Sequence, residues 1–86
     1  MYGVDHKWIV DLWESLQRAG PHFGEEVALD DMSDGYRVIV PIVSVLPAGM
    51  DKFVREYVRG FAQTHGWEVR RLSLTRWRLL FSVRRG

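Results

Sequence analysis

The chain contains no cysteine. That excludes a disulfide framework and any thiolate metal site, and it suits a reducing cytoplasm. No apolar run approaches the ~20 residues of a membrane-spanning helix. Asp5, His6 and Lys7 stand where a signal peptide would be apolar. A cytoplasmic protein with no membrane partner is therefore expected. The three histidines, His6, His22 and His65, are scattered without metal-ligand spacing. Asp30, Asp31 and Asp34 do not form a calcium-loop pattern and read as a polar turn. No serine has a nucleophile-elbow context, and Gly20, Gly24 and Gly35 are spaced as turns rather than as a phosphate loop. No catalytic residue, metal or cofactor is expected, so the reading is not an enzyme.

What is present is a single small domain of 86 residues. At 47% apolar and 13% aromatic the composition is that of a folded globule. A chain this short buries one core with little margin, which makes a homodimer an expectation.

The sequence also repeats itself. Lys7-Trp8-Ile9-Val10-Asp11-Leu12-Trp13 matches Lys52-Phe53-Val54-Arg55-Glu56-Tyr57-Val58 in residue type at six of seven positions, at an offset of 45. Glu26-Val27 matches Glu68-Val69 at an offset of 42. Tyr36–Ile42 matches Trp77–Val83 at an offset of 41. Two copies of a unit near 40 residues must pack on each other to form one core.

The net charge of +1 hides a split between these copies. Residues 1–45 carry three basic residues against eight acids, and residues 46–86 carry nine against three. Ten of the twelve basic residues are arginine, the side chain that forks onto phosphates and stacks on bases. An anionic partner for the basic half follows.

Periodicity predicts a helix over 5–19, with Asp5 as N-cap and Trp8, Leu12, Leu16 and Ala19 as its apolar stripe. A short strand over 26–32 and a strong one over 36–45 flank the turn Ser33-Asp34-Gly35. Pro41 argues for an edge position or a bulge. A second helix covers 48–64, with Met50, Phe53, Val54, Tyr57, Val58, Phe61 and Ala62 in its stripe and Gly66 past its end. A second hairpin follows, over 67–73 and 76–84. The fold class is α+β, in the order α-β-β-α-β-β: a four-stranded, mainly antiparallel sheet with both helices on one face.

The other sheet face then carries Arg37, Ile39, Pro41 and Val43 from one strand, and Arg76, Arg78, Leu80, Ser82 and Arg84 from its counterpart. Arginines around a few exposed aliphatics mark a binding surface or a subunit interface. The 67–85 segment interleaves Trp67, Arg70, Arg71, Arg76, Trp77, Arg78, Phe81, Arg84 and Arg85, with Glu68 its one acid. This pattern fits single-stranded DNA or RNA, whose phosphates meet arginines and whose unstacked bases meet aromatic rings. The nucleic-acid-binding set is Arg37, Trp67, Arg70, Arg71, Arg76, Trp77, Arg78 and Arg84. Trp67 opens the hairpin and is expected at the surface as a stacking platform. Trp77 alternates with arginines as a half-buried strand does, which makes it a core residue or a second platform. A different reading takes the mixed face as the interface of a small homodimeric interaction module, with Ile39, Val43 and Leu80 in contact. A plain solvated face that blocks edge-to-edge association accounts for the same arginines.

With Trp67, Arg70, Arg76, Trp77 and Arg78 as a basic and aromatic cleft on a sheet backed by helices, the chain resembles the ThermoDBP-like single-stranded nucleic-acid-binding proteins of hyperthermophilic archaea. The resemblance implies sequence-tolerant binding of single strands and a dimer. The founding type of that family extends into a C-terminal helical zipper, and this chain stops at Arg84-Arg85-Gly86.

Overall fold

The computed structural model describes residues 6–85. Asp5, the expected N-cap, lies outside them. The elements are α1 (Lys7–Arg18), β1 (Ala28–Met32), β2 (Gly35–Pro41), α2 (Met50–Thr64), β3 (Trp67–Leu74) and β4 (Arg78–Arg85). The expected α+β fold and element order are those observed. Among the described residues, no helix is long and apolar enough to cross a membrane.

The four strands form one antiparallel sheet in the order β1-β2-β4-β3. Period-two alternation sorts β2 and β4 cleanly. Tyr36, Val38 and Val40 of β2, with Leu79, Phe81 and Val83 of β4, are buried under the helices. Trp8, Ile9, Leu12 and Leu16 of α1 and Val54, Val58 and Ala62 of α2 complete the same core. Full burial of each such side chain contributes roughly 1.5–3 kcal/mol. Among the described residues no charged group is buried.

Two local details explain the strand ends. Pro41 is not on an edge strand or a bulge: it is the last residue of central β2, opposite Arg78. Its carbonyl accepts the Gly24 N–H on the side away from β4, so its nitrogen also points where β1 has not yet begun. The missing donor costs no ladder bond there. Gly35 opens β2 where the β4 backbone comes close, and a Cβ at that position would collide with the Val83 carbonyl. Beyond α2, Gly66 adopts φ +83° and donates to Gln63 O at 3.1 Å, as expected of a residue past the helix end.

The two halves are arranged alike. Each gives one helix, one edge strand and one central strand, so the strand order reads the same from either edge. They differ in their hairpins. β1 and β2 are joined tightly, with Met32 opposite Gly35. β3 and β4 are joined through Thr75, Arg76 and Trp77. The Glu26-Val27 match to Glu68-Val69 does not survive in the register. Ala28 sits beside Ile39 while Ser73 sits beside Leu80, an offset of 45 instead of 42, and the irregularity between Val69 and Arg71 accounts for one of those three positions.

Candidate nucleic-acid interface

The strand registers define the face opposite the helices row by row. Asp30, Arg37, Ser82 and Arg71 lie across it in one row, and Ala28, Ile39, Leu80 and Ser73 in the next. Pro41 and Arg78 follow at one end, and Gly35, Arg84 and Glu68 lie at the other. The expected Arg37, Arg71, Arg78 and Arg84 are thus brought onto one surface around Ile39 and Leu80. Those two aliphatics are half-buried neighbours in the middle of the sheet. Val43 stands apart from them, 68% exposed on the chain leaving β2. Its N–H donates to His22 O at 2.8 Å.

The arginines are not equivalent. Arg37 is paired to Asp30 at 3.0 Å and Arg84 to Glu68 at 3.0 Å. Arg70, at the irregularity in β3, is 4.0 Å from the same Glu68. Among the described residues, no acid pairs with Arg71, Arg76 or Arg78. The strand order also sets the field. β1 carries Asp30 and Asp31 at one edge, and β3 carries Arg70 and Arg71 at the other. A polyanion is therefore drawn toward the β4–β3 side.

Of the two candidate platforms, Trp67 overturns the expectation of a surface position, and Trp77, left open between core and platform, is exposed. Trp67 is 8% exposed and belongs to the core. Its ring meets the Tyr36 ring edge-on at 4.9 Å and lies 6.5 Å from Trp8. The Arg85 guanidinium closes over it at 4.6 Å. The reason is its place at the start of β3, beside the end of α2, where the helix layer covers it. Trp77 is 72% exposed, the most exposed large apolar side chain among the described residues. It precedes β4 rather than lying in it, on the turn that joins β3 to β4. Thr75 holds the turn: its Oγ1 accepts the N–H groups of Trp77 at 3.3 Å and Arg78 at 3.2 Å. The Ile42 N–H donates to Trp77 O at 2.8 Å. The Arg76 guanidinium lies 5.4 Å from the Trp77 ring centroid, within cation–π range. The strand expected over 76–84 begins only at Arg78; the signal for the later start was Thr75, whose hydroxyl can bond the backbone two and three residues on.

Among the described residues, no cluster of three or more His, Asp or Glu side chains could hold a metal ion. Comparison with protein-family models, with curated proteins and with solved structures gives no match.

Proposed function

We propose that this is a non-enzymatic cytoplasmic protein that binds single-stranded nucleic acid on the open face of its sheet. The observation that carries the reading is Trp77: a tryptophan 72% exposed on the turn next to the arginine-bearing face, with the Arg76 guanidinium over its ring and Arg78 following it in the chain. A base stacks on the Trp77 ring, and the backbone runs on from it over Arg78 and Arg71. Ile39 and Leu80 give the strand an apolar floor between those cations. Ring stacking is sequence-tolerant because every base has a π-face. Duplex DNA, whose bases are already stacked, offers nothing to Trp77. The likeness to ThermoDBP-like proteins fits the same proposal, with Trp77 rather than Trp67 as its aromatic element.

The test is a fluorescence titration with labelled single-stranded DNA, single-stranded RNA and duplex. Binding to single strands that exceeds binding to duplex, and that quenches tryptophan emission, supports the reading. Equal affinity for duplex, or no binding at low salt, overturns it.

A further inference from the structure

We infer that Ser82 is the seat of one phosphodiester of the bound strand, a fixed anchor at the far end of the sheet face from Trp77. This rests on the single-strand reading proposed above and adds to it the place where the backbone is gripped.

Ser82 lies in central β4, with Arg37 of β2 directly across from it on one side and Arg71 of β3 directly across on the other. Arg84 follows two residues on, along the same face of β4. Residues opposite each other on neighbouring strands stand about 4.5–5.5 Å apart at Cβ. Three long exposed side chains with guanidinium ends therefore rise around one short, half-buried side chain. The Ser82 hydroxyl is the floor of the notch between them.

Nothing in the fold asks for a serine there. The interior of a central strand favours a β-branched or aromatic residue, and Leu79, Leu80, Phe81 and Val83 supply the apolar residues around it. Among the described residues the Ser82 hydroxyl makes no hydrogen bond. The notch is not a by-product of the repeat either. At the offset of 41, Ser82 corresponds to Pro41 and Arg84 to Val43, so the matching corner of the sheet has neither the hydroxyl nor the second arginine.

Charge selects the occupant. Asp30 and Glu68 hold Arg37 and Arg84, each at 3.0 Å, while Arg71 has no acid partner among the described residues. One free cation matches the single charge of a phosphodiester. The Arg71 fork fits the phosphate oxygens, the Ser82 hydroxyl donates to one of them, and Arg37 and Arg84 supply the surrounding positive field. Ser82 is four residues from Arg78 along β4, roughly 13 Å at the rise of a strand. The strand is thus held at two separate points, a base on Trp77 and a phosphate on Ser82. A phosphate contact fixes register without reading sequence.

Ser82→Thr and Ser82→Val test this, because they share one shape and differ in the hydroxyl. The full chain is titrated with a labelled single-stranded oligonucleotide, and circular dichroism checks that each variant is folded. Ser82→Thr should bind like the wild type and Ser82→Val about tenfold more weakly. Tryptophan quenching at saturation should be the same in both, since Trp77 still stacks. Ser82→Val combined with Arg71→Ala should lose less than the product of the two single losses, because both grip one phosphate. Combined with Arg78→Ala it should lose the full product. Strands ending in a 5′-hydroxyl or a 5′-phosphate should give the same ratio of Thr to Val variant affinity. Equal binding by the two variants overturns the seat. So does a fully multiplicative loss with Arg71→Ala, or a ratio confined to 5′-phosphorylated strands, which would assign Ser82 to a terminal phosphate. In each of those cases the wild type still binds single strands and the functional reading stands. A wild type that binds no single strand overturns both.

Discussion

Ile39 and Leu80 face each other directly across the two central strands, and the 41 positions that separate them are the offset of the sequence repeat in that region. The same offset holds the register on both sides. Tyr36 opposes Val83, and the Ile42 N–H donates to the Trp77 carbonyl. Exchanging the halves turns the first of these pairs into the second. A two-fold relation between the halves therefore passes between Ile39 and Leu80, and β2 and β4 pair as two copies of one strand would.

This close pairing makes Gly35 indispensable. A side chain there meets the Val83 carbonyl of β4, a backbone atom that cannot rotate away. Gly35→Ala should cost about 1–3 kcal/mol or more of stability, as overpacking does. Urea unfolding followed by circular dichroism checks it. A midpoint within error of the wild type would mean that the strand ends separate freely and that the register near Arg84 carries no energy.

Much of the fold was legible because its two periods are unmixed. β2 and β4 alternate strictly, and the turn residues at Ser33–Gly35 and Gly66 stand where they were expected. Alternation reports which side of a sheet a residue takes, but not how deeply its neighbours cover it there. Trp67, expected at the surface, is buried, and Trp77, left between core and platform, is exposed. The same limit hid Phe53, which shares the 3.6 period of α2 but lies at the margin of its buried arc. Pro41 misled for another reason: a central strand tolerates proline at its last residue when the nitrogen points away from the ladder. The rows of the candidate site depend on β3, where the irregularity before Arg71 changes which residues share a face. Composition does not show this.

The two tryptophans give opposite variants. Trp67→Ala empties a site enclosed by Trp8, Tyr36 and Arg85 and should cost about 3–5 kcal/mol of stability. Trp77→Ala removes an exposed ring and should leave stability within about 0.5 kcal/mol. Its affinity for single strands should fall about tenfold, since stacking on an aromatic contributes roughly 1–3 kcal/mol per base. Urea unfolding and a binding isotherm on each variant separate the two effects. A stable, weak-binding Trp67→Ala would reverse the assignment.

The free and the paired arginines should also differ. Arg71→Ala and Arg78→Ala each remove a cation with no acid partner among the described residues. Each should lower the salt slope of single-strand binding by about 0.7. Arg37 and Arg84 are already neutralised in part by Asp30 and Glu68, and exposed pairs of this kind add at most about 1 kcal/mol to stability. Their alanine variants should change both affinity and slope less. Arg18→Ala, on α1 behind the sheet, should change neither. Titrations at several salt concentrations decide this, and five equal slopes would indicate diffuse attraction instead of a site.

Thr75 is the residue through which the fold aims Trp77. Its hydroxyl accepts the Trp77 and Arg78 N–H groups at 3.3 and 3.2 Å, and its own N–H donates to Arg78 O at 3.0 Å. Thr75→Val keeps the shape and the backbone bond but removes the acceptor, leaving two N–H groups to water. The turn should loosen at a cost of about 0.5–1.5 kcal/mol. Trp77 keeps its chemistry but loses its fixed position, so affinity should fall by less than in Trp77→Ala, with the salt slope unchanged. Thr75→Ser restores the oxygen and should recover most of the loss. A Thr75→Val variant that binds like the wild type would show that the ring finds its base without help from the turn.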